Sequence, residues 1–348
     1  PFQYLSSYNV TGPGYVLEGN GVQIVSERAE SNPRITWERA KKVDVGVEVS
    51  LLNGKINLEA DYFYEKRSNM LVYPTVITPL EYGIDLSQVN AGVMENKGVE
   101  FSGGFHHNLS SNMEFSVGGT LTYAKNKILE IFENPSTYNN ENRRRTGKQL
   151  GTQFGYESLG YFQVDDFDAE DNLKPGIATQ PWGKVMPGDI RYNDVNNDGE
   201  INIDDEVAIG NASTPLILYG VSSNFRFKNL SLDLFFQGTG LSDQYFQYES
   251  IWPFWNGQTA FEHNFDYWTS DNTNAQHPRI TSAPTTNNIQ TSSHWLRDAS
   301  YLRLKNAQLS YYIPNLFKEK VESVKIYISG QNLLTWSNLN NFGIDPET

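Results

Sequence analysis

The residues best placed to do chemistry lie in one acidic loop, Asp194-Val-Asn196-Asn-Asp198-Gly199-Glu200-Ile-Asn202-Ile-Asp-Asp205. Oxygen ligands at alternate positions, a glycine at the sharp turn and a carboxylate at the twelfth place are the pattern of an EF-hand calcium loop. Asp194, Asn196 and Asp198 would supply side-chain oxygens and Glu200 its backbone carbonyl. Asp205 would close the shell with a shorter arm than the usual Glu, as in dockerin-type loops. The same residues also make an acidic turn closed by Asx hydrogen bonds with no ion. A bound Ca²⁺ would rigidify a surface loop with a dissociation constant of about 10⁻⁴–10⁻³ M. No flanking helices are predicted, which argues against a signalling EF-hand.

A second chemical feature is aromatic. Tyr245, Tyr248, Trp252, Phe254 and Trp255 crowd one stretch of loop. Exposed rings of this kind stack on sugars or fill a partner's pocket, which makes Tyr245, Tyr248, Trp252 and Trp255 candidate substrate contacts. Packing of loop against loop is the alternative. Arg143, Arg144 and Arg145 read as a solvated loop face open to anions. Enzyme signatures are poor. His106 and His107 flank a turn, while His263, His277 and His294 lack the spacing of a metal motif. Asp165, Asp166, Asp168, Glu170 and Asp171 offer carboxylates for glycoside hydrolysis, but clustered loop acids are far more often just solvated. No nucleophile elbow and no phosphate-binding glycine loop appears. The chain is not expected to be an enzyme.

The elements that carry these loops show a period of two. Val43, Val45, Val47 and Val49 alternate with Asp44, Gly46 and Glu48; an Asn53-Gly54 pair signals a hairpin, and Ile56, Leu58, Ala60, Tyr62 and Tyr64 return. Val99 to Phe105, Met113 to Tyr123, Val221 to Phe227, Leu230 to Phe236, and Leu309 to Ile313 with Val324 to Ile328 repeat the pattern. These strands read as ~10 residues each, which suits a tilted bilayer crossing better than a soluble sheet. Tyr and Phe gather near strand ends, as in YFYEK and SYYIP, where an interfacial girdle would lie. Short turns alternate with long polar loops at about 66–98, 125–215 and 238–298, as in bacterial outer-membrane barrels. The apolar phase slips by one residue between Leu304 and Ala307, which predicts either a β-bulge or the rim of the membrane band. Arg303 and Lys305 are therefore assigned to an extracellular extension. The fold class predicted is all-β: part of a transmembrane antiparallel β-barrel with long extracellular loops.

Composition sets the limits. The 348 residues include 20 Tyr, 19 Phe and 7 Trp and no Cys, with a formal net charge of -14. Without cysteine there are no disulfides and no thiolate sites. The acidic balance argues against nucleic acid as a partner. No apolar run reaches the ~18 residues of a transmembrane helix, and PFQYLSSYNV is no signal peptide.

Several blocks carry a family resemblance. They are Asn32-Pro-Arg-Ile-Thr-Trp37-Glu38, Asp61-Tyr-Phe-Tyr-Glu65-Lys66-Arg67, Asn90-Ala-Gly92 and Glu95-Asn96-Lys97-Gly98-Val99-Glu100. Pro187-Gly188-Asp189-Ile-Arg-Tyr192-Asn-Asp194, Trp295-Leu-Arg-Asp298-Ala-Ser-Tyr301-Leu-Arg-Leu-Lys-Asn306 and Ser329-Gly-Gln-Asn332-Leu-Leu-Thr335 follow. Spread along the whole chain, they resemble the SusC/RagA-type TonB-linked outer-membrane transporters of Bacteroidota. The resemblance implies a plugged barrel of ~22 strands. It also implies a SusD-like surface lipoprotein as lid, energy from the TonB complex, and import of oligosaccharides or oligopeptides. Membrane lipid and lipopolysaccharide would surround such a wall, a multi-pass protein of the bacterial outer membrane. Neither the family's plug with its TonB box nor its closing strand is visible, so 1–348 is expected to be the C-terminal portion of a larger barrel. Alternatives are an adhesion barrel without transport and, less favoured, a surface hydrolase.

Overall fold

The computed structural model describes residues 4–27, 30–74, 83–316 and 321–347. The chain begins with a hairpin, β1 (Tyr8–Leu17) and β2 (Asn20–Glu27). Periodicity gave no hint of it, because register shifts on both sides of Pro13 break the alternation. Long strands follow: β3 (Arg39–Leu51), β4 (Ile56–Val72), β5 (Val89–Ser110) and β6 (Met113–Glu130). Short strands β7 (Gln153–Gly155), β8 (Ser158–Tyr161), β9 (Ile190–Tyr192) and β10 (Val207–Gly210) occupy the next connection. Then come β11 (Ile217–Phe227), β12 (Leu230–Gly240), β13 (Asp243–Tyr245), β14 (Leu296–Asp298), β15 (Tyr301–Leu316) and β16 (Val321–Ser337). The long strands form one eight-stranded sheet in the order β16-β15-β12-β11-β6-β5-β4-β3. The short ones pair as β10–β7, β8–β9 and β13–β14.

Register separates two chemistries. One face aligns Ile328, Leu309, Leu232, Phe225 and Phe115 across five strands, and beside them Ile326, Tyr311, Leu230, Phe227 and Met113. The other face aligns Ser329, Gln308, Asp233, Asn224 and Ser116. Because successive side chains point to opposite sides, one face is apolar enough for lipid and the other wets an aqueous interior. Val45, Val47 and Ile328 are 60%, 59% and 73% exposed, values that an aqueous sheet would bury.

Three sequence expectations change. The strands run 11 to 22 residues rather than ~10, since ladder hydrogen bonding continues past the bilayer where both faces are polar and the period is silent. The loop placed at 66–98 shrinks accordingly: β4 reaches Val72 and β5 begins at Val89, with 75–82 outside the described residues. The loops at 125–215 and 238–298 start later, after Glu130 and Gly240, and contain short strands of their own. At Asn53-Gly54 the two-residue turn opens into residues 52–55, with Leu52, Asn53 and Gly54 all at positive φ (53°, 57° and 84°). The slip near Leu304 is a bulge, the first of the two readings, with Lys305 unpaired on both neighbouring ladders. Arg303 does not approach lipid: it pairs with Gln237 on the polar face.

Gly238 shows why the sheet needs a gap. It lies opposite Tyr219, whose hydroxyl donates to the Tyr301 carbonyl at 3.0 Å. A Cβ at 238 would land on the Tyr219 ring and that same carbonyl. Gly238→Val is therefore expected to displace the ring and cost about 1–3 kcal/mol. A denaturant midpoint equal to that of the parent protein would refute this.

By internal contacts the chain divides into two units. The first comprises 1–44, 63–97 and 126–150; the second comprises 45–62, 98–125 and 151–348. In the first, Asn90 acts as a clamp. Its amide donates to the carbonyls of Thr36 and Asn69, and its carbonyl oxygen accepts from Thr36 N. The Asn-Pro-Arg and Asn-Ala-Gly blocks therefore serve each other, with Gly92 needed for close approach to Met70 and Val72.

Candidate functional site

In the second unit the long loops build a core of their own. Tyr156, Ile190, Tyr192, Trp252, Trp268 and Trp295 pack together with Phe246 and Leu339. A polar network holds this core in register. Asp189, 1% exposed, receives Arg279 Nε at 2.8 Å and Nη2 at 3.2 Å, Asn288 Nδ2 at 2.9 Å and Met186 N at 2.8 Å. Asn288 returns an oxygen to Ile190 N at 2.9 Å and its carbonyl to Trp295 Nε1 at 2.6 Å. The Tyr192 hydroxyl donates to the Asn287 carbonyl at 2.7 Å, and Gln180 accepts from Tyr192 N at 2.8 Å. Gly188 turns with φ of 88° beneath the Trp268 indole, a place a Cβ would fill. The Pro187-Gly188-Asp189 block is thus a fastener between two loops, not a ligand site.

Three of the four candidate aromatic contacts come together, and only one of the four is exposed. Tyr248, Trp252 and Trp255 have ring centroids 5.0–5.7 Å apart. Trp252 is 4% exposed and stacks edge-on to Trp295, so it serves packing and has no face to offer a sugar. Tyr245 is half-buried, with its hydroxyl on the Gln290 carbonyl, and Trp255 is half-buried. Tyr248 alone of the four is exposed, at 45%.

The acidic loop folds as a nest of Asx turns. Asp194 takes Asp198 N at 3.2 Å and Gly199 N at 2.9 Å; Asn196 takes Asp198 N and Asp198 takes Glu200 N, each at 2.9 Å. Asp205 is fully buried, one oxygen on Val195 N and Asn196 N and the other on Asn202 N. With one oxygen holding two donors already, Asp205 has little left for the bidentate grip of the twelfth position. Among the described residues no three His, Cys, Asp or Glu side chains are grouped to share a metal ion. The fold accounts for the loop without an ion, and calcium rests on the spacing alone as a proposal. Asp205→Ala is expected to cost about 1–3 kcal/mol with or without calcium, since three part-buried N–H groups lose a charged, buried acceptor. Calorimetry on the parent and Asp198→Ala decides the ion: identical traces remove it.

Among the remaining loop acids, Asp166 and Asp168 cap turns. Asp166 accepts from Gln163 N, and Asp168 accepts from Glu170 N and Asn172 N, which draws its carboxyl below the usual range. Arg144 lies over the Tyr138 ring, 4.8 Å from its centroid, and donates to its carbonyl.

Two groups missed by sequence reasoning stand out. His263 and His277 meet ring to ring, Nδ1 to Nε2, at 3.1 Å. Among the described residues His277 Nδ1 and His294 Nε2 find no hydrogen-bond partner, and both are buried. Burial, with Arg297 nearby, pushes His277 down to about 4 and His294 to about 3. A clasp forms where Arg303, 2% exposed, forks to Asp345 and Glu347, with Lys305 and the Tyr301 hydroxyl also on Glu347. The Tyr301-Leu-Arg-Leu-Lys block carried the hint; the histidines, 14 and 17 positions apart, gave none.

On the polar face of the sheet, Glu48, Asn57, Glu59, Ser102 and Thr120 line a groove of about 550 Å³ beside Phe235, which fits against Gly220. A second groove of about 460 Å³ follows along Asn224, Asp233, Asn306, Gln308 and Gln331.

A two-faced sheet of such strands, with loops folded into a separate core, defines the wall of an outer-membrane barrel. The chain belongs to the family described as TonB dependent receptor-like, beta-barrel, whose model matches residues 2–237. TonB-dependent receptor P26 of Formosa agariphila is 29% identical over 329 residues, covering 91% of this chain and 32% of the relative. TonB-dependent receptor P3 of the same organism is 29% identical over 357 residues, covering 99% and 33%. TonB-dependent receptor SusC of Bacteroides thetaiotaomicron is 23% identical over 326 residues, covering 91% and 30%. The chain thus spans about a third of the length of these relatives. Among solved structures, the RagAB peptide transporter superposes with a TM-score of 0.70 at 22% identity, covering 98% of this chain and 36% of that one. That likeness shows the fold. The protein is an outer-membrane β-barrel.

Proposed function

We propose that the whole protein is a TonB-energised importer of bulky polar oligomers, and that this chain supplies barrel wall and surface loops. The observation that carries the reading is the division of the sheet, apolar on one face and lined by polar grooves on the other. Family membership supplies the energy source, and the SusC likeness supports a SusD-like lipoprotein lid. Cargo is an oligosaccharide or an oligopeptide; the RagAB likeness favours trying peptides first. Asp166 and Asp168 act as turn caps, and no catalytic step is assigned to the loop acids.

Uptake by the source bacterium tests this with the gene intact, deleted and restored, on panels of labelled oligosaccharides and oligopeptides. Loss of one cargo class on deletion, mirrored when the proton gradient is dissipated, supports import. Unchanged uptake across both panels removes it.

A further inference from the structure

The loop core of the second unit is short of hydrogen-bond partners. Among the described residues, Trp252 Nε1, Trp268 Nε1, His277 Nδ1 and His294 Nε2 are buried there without one. Folded proteins rarely leave such atoms unsatisfied. Positive charge gathers at the same place. Arg297, on β14, is half-buried; its Nη1 donates to the carbonyls of His294 and Leu296, and its guanidinium lies 5.3 Å from the centroid of the Phe342 ring. Among the described residues it has no carboxylate partner, although the chain carries 41 acids. The other desolvated arginines of this unit do have one: Arg279 holds Asp189, and Arg303 holds Asp345 and Glu347.

Two loop segments, 263–277 and 294–297, bring these groups together. The Trp295 ring lies 6.2 Å from His277 and 4.6 Å from His294, and Phe342 lies against both His263 and His277. Burial, then the charges of His263 and Arg297, hold His277 neutral, with Asp266 acting the other way. Burial, then Arg297 and His277, do the same for His294. Asp266 is itself engaged, its oxygens on Asn272 Nδ2 and Gln276 N. Bare imidazole nitrogens alone would suit a metal cation, but the guanidinium beside them repels one. A water molecule would satisfy the rings and leave the guanidinium charge uncompensated. An anion answers both needs.

We propose that Arg297, His277 and His294 bind one compact monovalent anion of the halide class, which fastens segment 263–277 to segment 294–297. The anion accepts from the guanidinium, from His294 Nε2–H and from His277 Nδ1–H. His277 already commits its Nε2 to His263, so its second N–H requires a proton taken up together with the anion. Binding therefore strengthens as pH falls, and the anion opposes the loss of stability that a neutral, buried His277 brings in acid. Asp266 and the enclosing rings disfavour a larger or more highly charged anion. The inference is independent of transport and cargo.

The test uses the full-length protein in detergent micelles, with tryptophan fluorescence melts in sodium gluconate, chloride or bromide at matched ionic strength. Chloride and bromide should raise the melting temperature of the loops saturably over gluconate, with an apparent affinity about tenfold tighter at pH 5.5 than at pH 7.5. Arg297→Gln and His277→Gln should each erase the halide response. Lys184→Gln, at an exposed cation of the same unit, should leave it intact. If the first two variants fail to fold, anomalous scattering from bromide-soaked crystals of the parent decides: a peak against Arg297 and the two histidines supports the site. Halide and gluconate melts that coincide at both pH values, bromide found only elsewhere, or an undiminished response in either folded variant overturns the proposal.

Discussion

Lowering the pH from 7.5 to 4.5 is expected to loosen the loop core while the strand ladder persists. His277 is 1% exposed and held neutral, its value depressed to about 4, first by burial, then by the His263 and Arg297 charges. His294 is lower still, about 3, because its Nε2 is sealed and Arg297 lies close. The unfolded loop takes up these protons near pH 6.5, and the folded loop does not. Stability is therefore complete above that value and falls as pH drops toward the folded values. For His277 alone the difference amounts to roughly 3 kcal/mol. The tautomer that leaves least unsatisfied keeps the proton on His277 Nε2, donating to His263, and a bare lone pair on Nδ1. Tryptophan fluorescence melts across pH 7.5–4.5 measure this, since Trp252 and Trp295 report the core. His277→Gln should flatten the slope by about one proton. A melting temperature that does not move between pH 6.5 and 4.5 would sink the argument.

The second large effect concerns Asp189. Removing its carboxylate leaves Arg279, Asn288 and Met186 N without an acceptor inside a desolvated joint. Breaking a buried pair from one side costs about 3–5 kcal/mol, more than the pair itself contributes, because the remaining charge stays behind. Arg279 retains some solvent access, 23% of its side chain, so the lower end of that range is expected for Asp189→Ala. Asp189→Asn should cost less, since its oxygen still accepts while its amide faces the guanidinium. Loop cleavage by a protease within 177–192 or 279–295 gives a direct measure, expected to accelerate in the Ala variant. Equal cleavage rates in parent and Ala variant would show that the fastener carries no load.

The sequence alone determined the central stretches of the long sheet strands and their faces, because a period of two is a local property of neighbouring residues. The β16–β15 register follows from it: Leu309 faces Ile328 and Tyr311 faces Ile326, as alternation required. It located the phase slip between Leu304 and Ala307 for the same reason, and the ladder shows it to be a bulge at Lys305. The acidic loop was legible as a turn, since Asx hydrogen bonds span only a few residues. Tertiary structure alone decided what lies between distant segments. Trp252 reads in sequence as a candidate platform, yet it is core, because Trp295 arrives from 43 residues away to cover it. Asp189 meets Arg279, and His263 meets His277, through loop packing that no local pattern encodes. The ends of the long strands were hidden likewise: polar residues on both faces leave no period to read, and only the ladder of partners shows where the strands stop.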